Sequence, residues 1–216
     1  MSRRSYRQTC YAALALDRVG ERWTLLVVRE LLTGPRRFKD LQEALPGMGP
    51  NLLSARLQQL ESDGLVERTQ LPPPAGAAAW ALTELGHELE PVLLGLVRFG
   101  RNLGLRRRRS HHSRAGWDVL AARALFEPDA ARGADCLYEL RIGDEVFCFQ
   151  VEDGELATWT GAARQPDVVL TTDPETWQQL THGEQSLDTA LEHQRLKLTG
   201  NRRAARRLGP LFAQGN

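Results

Sequence analysis

Apolar residues in the first part of the chain recur at helical spacing. Three stretches of this kind predict helices over Ser5–Val19, Arg22–Leu32 and Arg37–Leu45. A fourth helix is predicted to begin at Pro50, with Gly49 as its N-cap, and to end at Gly64. Apolar and polar residues then alternate over Leu65–Leu71 and Ala79–Leu82, which predicts a hairpin of two short strands.

A longer apolar series follows the hairpin. Thr83 is a candidate N-cap for a helix that continues to about Leu103, and Pro91 predicts a kink or a break within it. Apolar residues in alternating steps of four and three form a seam of Leu85, Leu89, Val92, Leu96, Phe99 and Leu103. A seam with this spacing needs a second helix against it, so we predict a dimerisation surface there.

The second half of the chain has the alternating pattern that is typical of strands. Five strands are predicted, over Cys136–Ile142, Glu145–Val151, Glu155–Trp159, Asp167–Thr172 and Leu196–Gly200. Short turns that contain Gly143 and Gly154 join the first three. Helices are predicted over Trp117–Phe126 and over residues 174–183 and 186–194. This half is therefore predicted to be an α+β domain with an antiparallel sheet.

The composition is that of a globular protein, with 42% apolar and 25% charged residues in a chain of 216. No apolar run approaches the roughly 18 residues that cross a bilayer. Near the N-terminus, basic and then apolar residues resemble a signal peptide, but Asp17, Arg18 and Glu21 interrupt the run. We therefore expect a cytoplasmic protein without a membrane partner. The three cysteines lack the spacing of a metal site or a disulfide framework.

The charge is divided unevenly along the chain. Residues 1–115 carry 18 Lys and Arg against 11 Asp and Glu, a net charge of +7, and residues 116–216 carry 10 against 16, a net charge of −6. The Arg-rich stretch before Trp117 is either a solvated linker that touches a polyanion or simply a charged helix end. We predict a DNA-binding and dimerisation domain over residues 1–104, a basic linker over 105–116 and a second domain over 117–216.

The helix that begins at Pro50 has an unusual outer face. When its leucines point inward, Asn51, Ser54, Ala55 and Gln58 lie on the opposite side. Such a face either meets only water or inserts into a DNA major groove, where Asn and Gln can pair with adenine. The basic residues before the helix favour DNA, because they can hold phosphate. The predicted DNA contacts are Arg36, Arg37, Lys39, Pro50, Asn51, Ser54, Ala55, Gln58 and Arg68.

Three segments in this order and spacing resemble the HxlR-type branch of winged helix-turn-helix regulators, relatives of the MarR type. They read GERWTLLVVRELLTGPRRFKDLQEALPGM, NLLSARLQQLESDGLVER and WALTELGHELEPVLLGLVRFG, with Cys10 before them. The resemblance implies a homodimer that binds double-stranded DNA at an inverted repeat, with the terminal helices in the dimer contact. This chain departs from the family at Arg22, where Lys is usual, and at Gly49, where Ser is common. The tip of its predicted wing, PPPAGAA, has no basic residue.

Cys10 matches a family position at which some members sense electrophiles or oxidants. A thiol near basic Arg7 on an exposed helix can have a lowered pKa and act as such a sensor. The alternative is an apolar thiol packed in the helix interface, since free cysteines are so often buried. A redox role without a second cysteine nearby would need a partner from another subunit.

The second half resembles the sterol-carrier-protein type of domain, from about Trp117 to Leu211. Its strand hairpins are followed by PDVVLTTDPETWQQLTHGE, a helix and LKLTGNRRAARRL. The resemblance implies a tunnel for an apolar effector. Seven residues could line it or could fill an ordinary core: Tyr138, Leu140, Phe147, Phe149, Trp159, Val169 and Trp177.

No catalytic or cofactor motif is present in the sequence. The five histidines are scattered, and no Ser-His-Asp order, phosphate loop or metal spacing occurs. We expect a protein that is not an enzyme and needs no cofactor or metal: a DNA-binding regulator, with an apolar small molecule as a candidate effector. The alternative is a small-molecule carrier whose N-terminal module makes only protein contacts.

Overall fold

The computed structural model describes residues 5–73, 76–103 and 112–212. Contacts group the chain into two compact units, Met1–Leu93 and Leu94–Asn216. The predicted basic linker lies at residues 105–116, and residues 105–111 are outside the described part. The first unit is a helical winged helix-turn-helix with a two-stranded sheet, and the second is an α+β unit with a five-stranded sheet. Both match the predicted fold class.

Four helices form the body of the first unit: α1 (Tyr11–Val19), α2 (Thr24–Leu31), α3 (Phe38–Ala44) and α4 (Pro50–Ser62). Their apolar faces meet in a shared core, in which Leu53, Leu57 and Leu60 of α4 are at most 1% exposed. Complete burial of a leucine side chain stabilises a fold by about 1.5–3 kcal/mol. Packing of these three residues therefore holds α4 in place and fixes which of its faces is left outside.

The first helix is shorter than the sequence predicts, because the segment before it folds back. Ser5 Oγ donates a hydrogen bond to Asp17 over 2.7 Å, and the Tyr6 backbone N–H donates to the same carboxylate over 2.9 Å. A helix would separate residues 5 and 17 by roughly 18 Å, at 1.5 Å per residue. Arg7 takes a left-handed conformation with φ 52°. The prediction of a helix from Ser5 is therefore wrong over residues 5–10.

The ends of α4 are as predicted. Gly49 is its N-cap and Pro50 its first residue, where the missing proline N–H has no helical partner to lose. At the other end, Gly64 has φ +71° and donates its N–H to the Glu61 carbonyl over 3.0 Å. The Leu65 N–H reaches the Leu60 carbonyl over 2.9 Å. This pair of bonds is a Schellman motif, which ends the helix and turns the chain directly into a strand.

The wing is an antiparallel hairpin of β1 (Val66–Gln70) and β2 (Ala78–Leu82). After it, Thr83 accepts a hydrogen bond from the Gly86 N–H over 3.0 Å and caps the short helix α5 (Glu84–His87). A break follows, and α6 runs over Glu90–Asn102. The predicted interruption is confirmed: Pro91 is in the first turn of α6, because proline has no N–H with which to continue the preceding helix.

The second unit contains the remaining elements. They are α7 (Ala115–Leu125), β3 (Asp135–Ile142), β4 (Glu145–Glu152), β5 (Glu155–Thr160), β6 (Val168–Thr172), α8 (Pro174–Thr181), α9 (Leu187–Glu192), β7 (Leu196–Gly200), α10 (Arg202–Arg207) and a 3-10 helix over Gly209–Leu211. All five predicted strands are present, and the predicted helices match α7, α8 and α9. The strand order is β5-β4-β3-β6-β7.

One pair of strands departs from the antiparallel prediction. β3 and β6 are parallel, whereas the other neighbours in this sheet are antiparallel. After β5 the chain crosses the outer face of the sheet before it enters β6. Glu139, only 1% exposed, accepts the Ala163 N–H over 2.7 Å, and Cys148 Sγ donates to the Gly161 carbonyl over 3.1 Å. These two bonds hold the segment between β5 and β6 against the sheet. This crossover allows β6 to run parallel to β3.

Among the described residues, no helix is both long enough and apolar enough to cross a membrane.

Candidate nucleic-acid interface

The outward face of α4 carries small or neutral side chains that are accessible to solvent. Asn51, Ala55 and Gln58 are exposed, and Ser54 lies half-buried on the flank of this face. Within the described residues, the Asn51 and Gln58 side chains have no hydrogen-bond partner, so their amides are free to bind elsewhere. Leu52, which the sequence analysis did not select, is also 40% exposed. The helix therefore presents amide donors and acceptors without neighbouring charge.

Two of the three predicted basic contacts before α4, Arg37 and Lys39, have acidic neighbours. The Arg37 guanidinium donates from Nη2 to Asp40 Oδ1 over 2.7 Å and from Nε to Oδ2 over 3.0 Å. These bonds raise the pKa of Arg37 and lower the pKa of Asp40, so the pair is ionised at neutral pH. Lys39 Nζ lies 3.7 Å from Glu43 Oε1, and both side chains are largely exposed.

A row of three side chains crosses the base of the wing. The backbone of Arg36 pairs with that of Trp80 through bonds of 2.9 and 2.8 Å, and Trp80 faces Arg68 across the hairpin. Residues directly opposite each other in antiparallel strands point to the same side. The Arg68 guanidinium lies 4.9 Å from the centre of the Trp80 ring and donates to Glu61 over 3.1 Å.

Trp80 is a residue that the sequence analysis missed. Its alternating position on β2 was a usable signal, since it lies directly opposite Arg68 in the hairpin. The pairing with Arg36 gave no such signal, because 44 residues separate the two along the chain. The row places two predicted phosphate contacts on either side of Trp80, and Arg68 is the one whose guanidinium lies over its ring. At the wing tip, Pro72 and Pro73 are exposed, and residues 74 and 75 are outside the described part.

The predicted dimerisation seam is exposed in the single chain. Five of its residues are 46–61% exposed and the sixth is half-buried; in chain order they are Leu85, Leu89, Val92, Leu96, Phe99 and Leu103. Within α6 only Leu93 is buried. An exposed apolar surface of this size on one helix is typical of a surface that packs against another protein surface.

Cys10 is exposed and precedes the first turn of α1. Hydrogen bonds from the backbone N–H groups of Ala13 and Ala12 lower its pKa, because they stabilise the thiolate. The helix start, rather than the side chain of Arg7, is therefore the cause of this shift. Burial raises the pKa of Cys136 and of Cys148.

The seven predicted ligand contacts are divided between the two faces of the second sheet. Tyr138, Leu140, Phe147 and Phe149 are at most 2% exposed and fill the core, and Trp177 packs against them. Trp159 and Val169 lie on the opposite face of the sheet. They pair with Cys148 and Glu139, whose side chains alternate along the strands with those of the core residues. Trp159 is 41% exposed.

A surface cavity of about 270 Å³ lies elsewhere in the second unit, between α9, β7 and α10. Leu191 and Leu198 form its apolar part. The rest of the lining is charged and comprises Asp188, Glu192, Arg202 and Arg206. None of these residues is among the predicted ligand contacts. In the described ranges, no group of three or more His, Cys, Asp or Glu side chains is placed to hold a metal ion.

Two family models match the chain. The HxlR-like helix-turn-helix model matches residues 18–107, and the SCP-2 sterol transfer family model matches residues 122–213. The HTH-type transcriptional regulator sll1512 of Synechocystis sp. is 36% identical over 91 residues, which are 42% of this chain and 67% of that protein. The Bacillus subtilis regulator YvaP is 38% identical over 79 residues, or 37% of this chain and 73% of YvaP.

Bacillus subtilis YodB, another HTH-type transcriptional regulator, is 37% identical over 78 residues, or 36% of this chain and 70% of YodB. Its structure in the reduced form overlaps 41% of this chain and 88% of that chain, with 33% identity and a TM-score of 0.37. This chain covers 67–73% of the length of these three curated relatives, and the helices and wing of its first unit are those expected for a winged helix-turn-helix. The chain belongs to the HxlR-like helix-turn-helix family of transcriptional regulators, and its second half matches the SCP-2 sterol transfer family.

Proposed function

We propose that this regulator binds an inverted-repeat DNA site as a cytoplasmic homodimer and reads base edges with α4. In this proposal the predicted basic residues hold phosphate, the seam on α6 joins the subunits, and the second unit takes an apolar effector. The protein acts by binding and catalyses no reaction.

The outward face of α4 supports this function most directly. Its inward leucines are completely buried, which fixes the helix, while Asn51 and Gln58 point away from the core and have no hydrogen-bond partner among the described residues. A bidentate amide contact to adenine distinguishes it from another base by about 1–3 kcal/mol. Arg36 and Arg68 lie on one side of the wing base, where they can contact the backbone that flanks the groove.

Selection of bound duplexes from a random pool tests this proposal. We expect enrichment of two inverted half-sites about one helical turn apart, because a two-fold symmetric dimer places its reading helices roughly 34 Å apart. Enrichment of single, unpaired half-sites would contradict the dimer. Absence of any bound duplex at low salt would contradict DNA binding and favour the alternative, a small-molecule carrier whose N-terminal module makes only protein contacts.

The effector proposal rests on the match to a sterol transfer family and on the apolar core of the second unit. Among the described residues of this unit, the surface cavity beside Leu191 and Leu198 is one site at which such a ligand could bind. Titration of the full chain with the fluorescent sterol dehydroergosterol, followed by DNA binding with and without it, tests the idea. We expect saturable binding and a changed DNA affinity. No sterol binding contradicts a sterol effector, and sterol binding without any change in DNA affinity favours the carrier.

A further inference from the structure

Carboxylates neutralise three of the four basic side chains that the proposed function assigns to phosphate contact. The pairs are Arg37–Asp40, Arg68–Glu61 and Lys39–Glu43. Arg36 differs, because its Nη2 donates to the Thr33 hydroxyl over 2.9 Å, which leaves its charge uncompensated by this contact. The face expected to meet polyanionic DNA therefore carries less net positive charge than its basic residues indicate.

Asp40 is the most firmly placed of the three carboxylates. Its Oδ2 accepts the backbone N–H of Arg37 over 3.1 Å, in addition to the guanidinium bonds. This backbone bond belongs to the start of α3 and keeps the carboxylate in place when a phosphate approaches. The Arg37 side chain is half exposed, so part of its guanidinium still faces solvent.

We propose that Asp40, and to a smaller degree Glu61, limit the affinity of this surface for DNA phosphate whatever the base sequence. A phosphate that binds Arg37 also meets a fixed negative charge within about 3 Å of the guanidinium, and the two effects oppose each other. Neutral amides on α4 are much less affected. Base contacts therefore supply a larger share of the binding free energy than they would without these carboxylates. This inference rests on the proposed DNA-binding function.

The three carboxylates differ in how strongly each pairs with its basic partner. Asp40 makes several guanidinium bonds and one backbone bond, whereas Glu61 makes one bond of 3.1 Å to Arg68, which also lies on the Trp80 ring. Glu43 lies 3.7 Å from Lys39, and the two side chains are 60% and 80% exposed. Such an open pair contributes little in water. Neutralisation should therefore have the largest effect at Asp40 and the smallest at Glu43.

The test measures binding of the full chain to its selected duplex and to a scrambled duplex over a range of salt concentrations. Asp40→Asn keeps an oxygen that can accept the Arg37 N–H. We expect it to tighten binding to scrambled DNA several-fold near 0.1 M salt and to steepen the salt slope by up to about 0.9. The ratio of selected to scrambled affinity should stay nearly unchanged, because the phosphate contact forms in both complexes. Glu61→Gln should show a smaller effect, and Glu43→Gln the smallest.

Two controls separate this pairing from a general loss of negative charge. Glu67→Gln removes the same charge from an exposed position that points away from Arg68 on the alternating strand β1, and it should change little. In an Arg37→Ala background, Asp40→Asn should have a smaller effect, which does not vanish because Arg36 also interacts with Asp40. An effect that is undiminished there, or an Asp40→Asn protein that binds scrambled DNA no tighter than wild type, overturns the inference alone. Wild-type protein that binds no duplex overturns the proposed function as well.

Discussion

Gln58 and Arg37 differ in the kind of contact that each can make with DNA. Gln58 presents an exposed amide on the outer face of α4, whereas Arg37 presents a charge at the start of α3. We expect Gln58→Ala to change the preferred base at one position of each half-site, at a cost of about 1–3 kcal/mol for the original site. Repeated duplex selection with the variant is the measurement, and identical selected sites would remove Gln58 from base reading.

Arg37→Ala should weaken binding to every sequence alike and make the salt slope shallower by up to about 0.9, because one phosphate contact is lost. Because Asp40 offsets part of the Arg37 charge, we expect the loss to be smaller than for an unpaired arginine. Equilibrium binding to the selected and scrambled duplexes at several salt concentrations checks this. A loss confined to the selected duplex would make Arg37 a base-reading residue instead.

Cys10 should be the reactive thiol of the chain. Backbone N–H groups at the start of α1 lower its pKa, so its thiolate forms at lower pH than in an unperturbed thiol. The buried thiols of Cys136 and Cys148 have raised pKa values. We expect iodoacetamide to label Cys10 first, with a rate that reaches its plateau at lower pH than for glutathione. Peptide mass spectrometry measures this, with Cys10→Ser as the control; labelling of Cys10 no faster than of the buried pair would contradict it.

At the scale of elements, the packing of α5 against the start of the wing depends on a close approach between the backbones of Gly86 and Leu65. A Cβ added at Gly86 would lie 2.0 Å from the Leu65 carbonyl oxygen, at the point where α4 passes into β1. Since that oxygen is backbone, the two elements must separate to admit a methyl group. We expect Gly86→Ala to lower the free energy of unfolding by about 3 kcal/mol.

Gly95→Ala is the matched comparison for this prediction. Apart from its chain neighbours and the backbone of its own helix, no atom of the described residues lies within 4 Å of the added Cβ, and the residue is inside α6. Alanine there should be neutral or should stabilise by up to about 1 kcal/mol, because it favours helix. Urea unfolding of both variants measures the difference. Equal stabilities of the two would show that this packing tolerates a wider separation than its geometry indicates.

At the scale of the whole molecule, the exposed apolar seam predicts the oligomeric state. Leu96 and Phe99 are 46% and 61% exposed on α6, and each turn of the seam adds another apolar side chain. We expect Leu96→Glu with Phe99→Glu to convert a dimer into a monomer of 24.2 kDa, because the charges cannot be buried in an apolar interface. Sedimentation equilibrium measures the mass.

Asn102→Glu adds a charge to an exposed position on the flank of the same helix and should leave the dimer intact. If the wild-type protein sediments as a monomer at micromolar concentration, the seam does not hold two copies together. The double variant should also lose most of its affinity for a paired half-site, because each subunit then binds alone. Its helix content by circular dichroism should stay unchanged.

Local patterns in the sequence were enough to predict helix α4 and its ends, the wing hairpin, the exposed apolar seam and the α+β character of the second half. Each of these depends on neighbours within a few residues. Helical spacing places Leu53, Leu57 and Leu60 on one face, and the glycine at position 64 ends the helix because it adopts positive φ readily. The break before α6 follows from proline chemistry alone.

Contacts between distant residues required the tertiary structure. The alternation of a strand shows which side chains share a face, but it does not show which strand lies beside it. The parallel pairing of β3 with β6 was therefore missed, and it depends on Glu139 holding a crossover 24 residues away. For the same reason the sequence did not show that Trp80 lies between Arg36 and Arg68, or that Asp17 draws Ser5 and Tyr6 out of a helix. Spacing determines elements, whereas packing among residues far apart in sequence determines how those elements form a site.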